Sequence, residues 1–278
     1  MKVAIVGVGL IGGSIGLALK NSKIKIDSII GVGRNVERLK LAKKLGAVDE
    51  FTVDIENGVK DADFVFICLP VTLIADTVKK ISLFCKKEAI ITDVGSVKSA
   101  IVKKIEKYFT FKSILQPVFV GGHPIAGSEK TSVKFASKNL FQNAMVVLTP
   151  TKKTDKNALK KMKFIWEKMM ASVKIMTPEE HDKIISFTSH LPHALAFSLV
   201  NAVDNLEFAG SGFKDTTRIA SSDFKMWADI VWENRKNVMT SIKRFKKELL
   251  KIEKAKSKSE ILKIFKKAKG KRDKLCQK

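Results

Sequence analysis

A glycine-rich turn near the start of the chain constrains the fold more than any other sequence feature. A short apolar run, residues 2–6, leads directly into Gly7-Val8-Gly9-Leu10-Ile11-Gly12. A GxGxxG spacing that follows a buried strand and opens a helix is typical of a dinucleotide-binding βαβ unit. Its glycines permit a tight turn, backbone contact with a pyrophosphate, and close packing of helix on strand. We expect the phosphates to meet the helix N-terminus at Gly7, Gly9, Leu10, Ile11 and Gly12.

Predicted strands and helices alternate through the first 177 residues. Strands are predicted at 28–32, 64–69, 89–93, 118–121 and 145–148, with helices at 36–45, 73–84 and 97–108. The alternation favours an α/β fold, with an N-terminal Rossmann-type doubly wound parallel sheet covered by helices on both faces. After a last predicted strand at 173–176, Thr177-Pro178-Glu179-Glu180 predicts a capped helix start, with no strand beyond it. We therefore expect a dinucleotide-binding domain over 1–177 and an all-α domain over 178–278.

The end of the second predicted strand bears on the choice between NAD and NADP. A carboxylate that binds the ribose 2′-hydroxyl is expected about 20 residues after the glycines. Gly33 stands at that position, followed by Arg34 and Asn35. A small residue followed by arginine leaves room for a 2′-phosphate and supplies its counter-charge. The pattern therefore favours NADP over NAD, with an arginine stacked on adenine as the alternative.

Two further segments follow predicted strands at the sheet edge where ligands bind. DVGSVK, residues 93–98, places Ser96 at a strand-to-helix turn, either near a bound nicotinamide or as the cap of the next helix. GGHPIAGSE, residues 121–129, places His123 between glycines and a proline, which predicts a rigid, exposed turn. A neutral imidazole there can accept a proton from an alcohol near neutral pH.

Imidazole and basic side chains recur in the predicted helical region. His190 and His193 lie three residues apart and can share a helix face. A zinc site is disfavoured because no carboxylate or cysteine lies at ligand spacing, so we expect no metal. Lys214 and Arg218 lie four residues apart, so both cations can point at one anionic ligand. Surface ion pairs are the alternative for these two cations.

Positive charge is concentrated towards the C-terminal end. The chain carries a net charge of +24, and residues 235–278 contribute +14 of it, with 18 Lys and Arg against 4 Asp and Glu. This tail predicts a solvated lysine-rich helical surface, with attraction of an anionic substrate or nonspecific nucleic-acid contact as alternatives. The widely spaced cysteines Cys68, Cys85 and Cys276 favour a reducing cytoplasm. Because glycines interrupt the apolar run at the N-terminus, we expect neither a signal peptide nor a membrane segment there.

Five motifs together resemble the prephenate dehydrogenase family, which includes arogenate dehydrogenases. They are GxGxxG, DxGSxK, GGHPxAGSE, SHLPH and GFKDxTRIA, and they span the chain from Lys2 to about Trp232. The resemblance implies oxidative decarboxylation of prephenate to 4-hydroxyphenylpyruvate in tyrosine biosynthesis, with hydride transfer to NAD(P). Arogenate dehydrogenase activity, which gives tyrosine directly, is the alternative.

The resemblance also implies catalytic roles for two residues. His123 would accept a hydrogen bond from the C4 hydroxyl of the substrate, and Ser96 would hold that hydroxyl or the histidine. Aromatisation of the ring supplies much of the driving force, so the protein mainly positions and polarises the reactants.

Five further residues are implied in substrate binding. Arg218 would pair with a substrate carboxylate, assisted by Lys214 and His193. Glu129 would gate or orient the basic side of the pocket. Trp227 would wall the pocket, from the same or the partner subunit.

The implied assembly is a homodimer formed through the helical domain. The run at 187–203 is apolar beyond one face, as expected of a helix buried against a second chain or in an ordinary core. We expect a small-molecule substrate and neither a specific nucleic acid nor a membrane as partner. A 3-hydroxyacid-type dehydrogenase of the same two-domain plan is an alternative, but it does not explain the motifs at residues 123–129 and 189–193. A cofactor-sensing nucleic-acid binder is suggested only by the basic tail.

Overall fold

A computed structural model describes residues 1–109, 117–127 and 132–276 of the chain. The chain divides into two compact units, Met1–Asn234 and Arg235–Lys278. The strands are β1 (Lys2–Val6), β2 (Ser28–Val32), β3 (Glu50–Thr52), β4 (Phe64–Ile67), β5 (Ile90–Asp93), β6 (Val118–Val120), β7 (Gly122–Ile125), β8 (Met145–Leu148) and β9 (Ser172–Ile175). The helices are α1 (Leu10–Asn21), α2 (Val36–Lys44), α3 (Ile55–Val59), α4 (Val71–Ile81), α5 (Ser99–Phe109), α6 (Lys156–Lys168), α7 (Pro178–Ile185), α8 (Leu191–Asn201), α9 (Ser211–Thr217), α10 (Phe224–Glu233), α11 (Arg235–Glu253) and α12 (Lys258–Cys276). Among the described helices, none has the length and apolar content needed to cross a membrane.

The first six strands form one parallel sheet. Its order is β3-β2-β1-β4-β5-β6, so the direction of strand addition reverses between β1 and β4. This order confirms the predicted doubly wound α/β fold, in which ligands bind beyond the carboxyl ends of the strands at the reversal. The short strand β3 and helix α3 were not predicted, because neither carries a long apolar pattern.

Helices cover both faces of this sheet. Along β1, Val3 and Ile5 belong to one apolar cluster, while Ala4 and Val6 belong to the other. Successive strand side chains point to opposite faces, so this alternation places one cluster on each side. The first cluster includes side chains of α1, α2 and α6, and the second includes side chains of α4, α5 and α10.

The later strands form a second, three-stranded sheet. β7 pairs antiparallel with β8, and β8 pairs parallel with β9. The strands predicted at 145–148 and 173–176 both lie in it. The segment predicted as one strand at 118–121 is followed at once by β7, so the chain leaves the large sheet at Gly121 and enters the small one.

From α7 onwards the described residues form only helices and turns, as predicted. The hydroxyl of Thr177 accepts the Glu180 N–H at 3.2 Å, and the Glu180 carboxylate accepts the Thr177 N–H at 2.9 Å, which is the predicted capping box. A π-helical turn, Ser186–His190, joins α7 to α8. Lysines of the second unit are exposed over its described residues, as a solvated surface requires. The division at residues 177 and 178 stays a prediction as a domain boundary.

Candidate active site

The glycine-rich turn lies at the carboxyl end of β1, next to the reversal of strand order. Gly7 has φ +96°, and a Cβ there would lie 2.3 Å from the carbonyl oxygen of Cys68. A Cβ on Gly12 would lie 2.3 Å from the carbonyl oxygen of Gly7, so neither position admits a side chain. Gly9 is the N-cap of α1 and provides no capping side chain. The first N–H groups of the helix therefore remain available to phosphate oxygens, and the turn fits a dinucleotide.

The end of β2 is followed by a glycine that tolerates a side chain, Gly33, and by an exposed arginine, Arg34. A Cβ on Gly33 would lie 3.4 Å from Leu39, an ordinary contact, so the fold itself does not require glycine there. Arg34 is exposed beside it. The Asn35 side chain accepts the N–H of Arg38 at 2.9 Å and caps α2, so its oxygen already has a structural role.

His123 lies in β7, where it pairs opposite Val147 of β8. Only 9% of the residue is exposed, so the predicted exposed turn is wrong. The Gly-Gly-His-Pro sequence is typical of a turn, but pairing with β8 makes it a strand and buries the ring. Burial, reinforced by His181, Lys98 and His190, holds the pKa of His123 well below 6.5. The imidazole is therefore neutral at pH 7 and can act as a base.

Two further side chains continue from His123 in a hydrogen-bonded chain. Nδ1 of His123 lies 2.8 Å from Nε2 of His181, and Nδ1 of His181 lies 2.8 Å from Oδ1 of Asp182. Asp182 also accepts the N–H groups of Lys98 at 2.8 Å and Ser99 at 2.9 Å, which ties it to the start of α5. Burial alone would raise the pKa of Asp182, but the bonds from His181 and these N–H groups lower it. Asp182 is therefore a carboxylate at neutral pH.

A buried ion pair holds the residue immediately before His123. Lys98 and Asp93 have no exposed side-chain surface and contact one another directly. Nζ of Lys98 also donates to the carbonyl oxygen of Gly122 at 2.8 Å, and Asp93 accepts the N–H of Gly122 at 3.1 Å. The second oxygen of Asp93 accepts the Gly95 N–H at 2.9 Å. The pair therefore fixes the start of β7 to the end of β5.

Ser96 is half-buried in the turn between β5 and α5. Because the N–H groups of Lys98 and Ser99 bond to Asp182, Ser96 does not cap these two groups. Burial is the main cause that lowers the pKa of His190 to about 4, against the opposing effects of Asp182 and of the Ser96 backbone. Nδ2 of Asn234 lies 3.1 Å from Nδ1 of His190, while Nε2 of His190 has no hydrogen-bond partner among the described residues.

The sequence-predicted substrate residues His193, Trp227 and Arg218 come together in the helical part. The rings of His193 and Trp227 stack with centroids 3.4 Å apart and an angle of 16° between their planes. Burial is the main cause that lowers the pKa of His193, and Arg218 lowers it further, so the positive charge of this cluster comes from Arg218. The rings of Trp227 and His190 also meet edge to face, with their centroids 6.1 Å apart. Because the backbone of Ser96 acts on His190, this contact links the cluster to the surroundings of Ser96. Lys214 is exposed on α9, one turn before Arg218.

Three residues around His123 were missed at the level of sequence. His181 and Asp182 follow the capping box of α7 but carry no spacing signal that relates them to His123. Lys98 belongs to the DVGSVK segment, yet a lysine is normally expected on the surface. The predicted gate residue Glu129 lies outside the described residues, so its position stays a prediction.

Comparisons with known proteins agree with this arrangement. The family described as "Prephenate dehydrogenase, nucleotide-binding domain" matches residues 15–175, and "Prephenate dehydrogenase, dimerization domain" matches residues 177–267. The prephenate dehydrogenase of Bacillus subtilis is 37% identical over 98% of this chain and 75% of its own length. A crystal structure of prephenate dehydrogenase from Aquifex aeolicus, in complex with hydroxyphenyl propionate and NAD+, is 41% identical with a TM-score of 0.89, covering 99% of this chain and 98% of its own. Synechocystis arogenate dehydrogenase is 29% identical with a TM-score of 0.83, covering 99% and 100%.

Proposed function

Because the chain belongs to the prephenate dehydrogenase family, we propose that it oxidatively decarboxylates prephenate to 4-hydroxyphenylpyruvate, a step of tyrosine biosynthesis. The observation that carries this proposal is a buried, neutral His123 in β7, whose start is bonded to the carboxyl end of β5. A dehydrogenase that removes a hydroxyl proton needs such a base next to a dinucleotide site.

The residues around His123 support a proton-transfer role. The C4 hydroxyl of the substrate would donate to His123, with Ser96 holding the hydroxyl. As the hydroxyl proton passes to His123, hydride leaves C4 and the bond to the ring carboxylate breaks, which releases CO2 and makes the ring aromatic. The proton then returns from His123 to the phenolate oxygen. The protein contributes orientation and a base whose protonation state suits neutral pH.

Substrate binding is assigned to the cluster around Arg218. Arg218 would pair with a carboxylate of the dianionic substrate, with Lys214 and His193 assisting. Burial keeps His193 neutral, and its Nδ1–H donates to the carbonyl oxygen of Ser189 at 3.0 Å, so its Nε2 would accept a hydrogen bond and would add no charge. Trp227 would wall the site together with His193, on which its ring stacks. Glu129 keeps its proposed role as gate.

The cofactor would be held by the glycine turn. The N–H groups at the start of α1, at Leu10, Ile11 and Gly12, would bind the pyrophosphate, and Gly7 and Gly9 would shape the turn. A bound nicotinamide supplies the hydride acceptor for this chemistry. Gly33 and Arg34 support NADP over NAD, because a 2′-phosphate finds space at the glycine and charge at the arginine. Asn35 would contribute only through its amide NH2.

Arogenate is the second candidate substrate. It shares the ring, both carboxylates and the C4 hydroxyl of prephenate, so every interaction assigned to His123 and Arg218 would serve it equally. Two similar proteins carry names that include this chemistry, Synechocystis arogenate dehydrogenase and the cyclohexadienyl dehydrogenase of Zymomonas mobilis.

A four-way assay tests the function and its two finer points. Prephenate and arogenate are each incubated with NAD+ and NADP+, and reduced nicotinamide is followed by absorbance. We expect turnover of prephenate with a higher kcat/KM for NADP+. Absence of turnover in all four combinations would reject the proposal. A His123→Asn variant that binds both ligands yet keeps the wild-type kcat would remove His123 from the chemical step.

We further propose that two chains associate through the helical domain that begins at Pro178. The family description of residues 177–267 as a dimerisation domain supports this assembly.

The two cysteines with described side chains, Cys68 and Cys85, are unpaired, which suits the reducing cytoplasm expected from the sequence.

A further inference from the structure

The bonds around His123 are compatible with one tautomer of its ring. Asp182 is a carboxylate, so it can only accept, and Nδ1 of His181 must carry the hydrogen of the 2.8 Å bond between them. Burial is the main cause that lowers the pKa of His181, against the opposing effect of Asp182, so this ring is neutral and its Nε2 holds a lone pair. Nε2 of His181 therefore accepts, and Nδ1 of His123 must donate the second 2.8 Å bond.

We propose that His181 and Asp182 are positioning residues that keep the proton of His123 on Nδ1 and leave its Nε2 free to accept the hydroxyl proton. This inference rests on the proposed function for the identity of the proton donor. The orientation and tautomer of His123 follow from the hydrogen bonds of this chain alone.

The geometry of Asp182 makes it a fixed end for this chain of bonds. Its two oxygens accept three hydrogens, from His181 and from the backbone N–H groups of Lys98 and Ser99. The two backbone donors belong to the start of α5, which packs on the sheet, so Asp182 cannot rotate without losing them. The direction in which it points His181, and through it His123, is therefore set by secondary structure.

The same chain of bonds stabilises the product of proton transfer. When the substrate O–H bond breaks and the N–H bond forms at Nε2 of His123, the ring becomes an imidazolium. Its Nδ1–H still donates to His181, and the charge of Asp182 faces it from the far side of His181. Asp182 stays unprotonated throughout, as does the aspartate of Ser-His-Asp hydrolases. The proton leaves again from Nε2 to the phenolate oxygen.

The tautomer can be measured without any substrate. The chain has 4 histidines, so two-bond ¹H–¹⁵N correlation spectra of the ¹⁵N-histidine-labelled full-length protein are simple, and a His123→Asn variant identifies the signals of His123. We expect Nδ1 of His123 to be protonated and Nε2 to be unprotonated at neutral pH. Wild-type protein in which His123 carries its proton on Nε2 overturns the inference, and this result does not depend on enzymatic activity.

Two variants of His181 test the consequence for the reaction. His181→Phe keeps a planar ring but removes the acceptor, and we expect kcat to fall about 10²-fold or more, the usual size of a general-base contribution. KM should stay within about threefold, because His181 touches His123 and not the substrate. His181→Gln retains an oxygen that can accept from Nδ1 of His123, and it should recover much of the lost kcat.

The outcomes separate this inference from the proposed function. A folded His181→Phe protein with wild-type kcat, or a His181→Gln protein no more active than His181→Phe, overturns the positioning role. Absence of turnover by the wild-type protein in all four substrate and cofactor combinations overturns the proposed function. In that case the spectra of the wild-type protein still decide the tautomer.

Discussion

Replacing Lys98, which directly precedes α5, by methionine should destabilise the protein far more than replacing an exposed lysine of α5. Lys98 is fully buried, and its ammonium contacts Asp93 and the carbonyl oxygen of Gly122. Lys98→Met would leave Asp93 as a buried carboxylate with backbone donors only, and it would remove the Lys98 donor from the carbonyl oxygen of Gly122. Removing one partner of a buried ion pair costs about 3–5 kcal/mol, so we expect a loss of that size in the free energy of unfolding.

The control is Lys103→Met, which removes an exposed lysine of α5. Lys103 contacts Glu179 at 3.0 Å, and both side chains are more than half exposed, 68% and 58%. A surface pair of this kind contributes at most about 1 kcal/mol, so Lys103→Met should unfold almost as the wild type does. The two variants make the same chemical change at positions five residues apart, and they differ chiefly in burial and partners.

Equilibrium unfolding in urea, followed by circular dichroism, measures both variants and the double variant Asp93→Asn/Lys98→Met. The double variant removes both charges of this buried pair, so we expect it to be more stable than Lys98→Met despite its additional substitution. A loss below about 1 kcal/mol for Lys98→Met would refute the reasoning, since that is the range of a surface pair. A double variant that is no more stable than Lys98→Met would also refute it.

Three further predictions concern the active site. Activity should require neutral His123, whose pKa lies well below 6.5. When kcat/KM is measured from roughly pH 5 to 9, it should therefore be constant above pH 6.5 and fall only as the pH drops through that lowered pKa. A decline in kcat/KM that begins above pH 6.5 as the pH is lowered would contradict this prediction. Gly33→Asp should change the ratio of kcat/KM for NAD+ to kcat/KM for NADP+ by roughly tenfold or more in favour of NAD+, because a carboxylate binds a ribose hydroxyl and repels a 2′-phosphate. Gly33→Ala is the matched control, and an unchanged ratio in Gly33→Asp would exclude this position from cofactor selection. Arg218→Gln should raise KM by roughly tenfold or more while kcat changes little, since it removes a charge-assisted contact present before and during the reaction; an unchanged KM would count against its assignment.

Local patterns were sufficient to predict the large sheet and its cofactor turn. Gly7 and Gly12 lie where backbone contacts exclude a side chain, and the left-handed Gly46, φ +74°, ends α2 as a glycine after a helix is expected to do. The capping box at Thr177 likewise involves residues only three positions apart. These features depend on neighbours in the sequence, which is why the sequence reveals them.

The surroundings of His123 depend on contacts between distant segments. His181 is 58 residues from His123 and Asp182 is 84 residues from Lys98, so neither contact leaves a spacing that a single sequence can show. The burial of His123 depends on the pairing of β7 with β8, and this pairing cannot be predicted from the residues of the Gly-Gly-His-Pro segment alone. The buried Lys98 runs against the usual surface preference of lysine and is explained only once Asp93 and Gly122 are placed around it.

The hydrogen bonds that Asp93 and Lys98 form with the backbone of Gly122 affect the energetics of the reaction. Both polar groups of this residue are held, its N–H by Asp93 and its carbonyl oxygen by Lys98. The main chain entering His123 therefore cannot rotate without breaking one of these bonds. The only free torsions left to the base are those of its own side chain, and the bond to His181 restrains the ring. His123 is oriented in advance, so little reorganisation energy has to be supplied when charge develops on it.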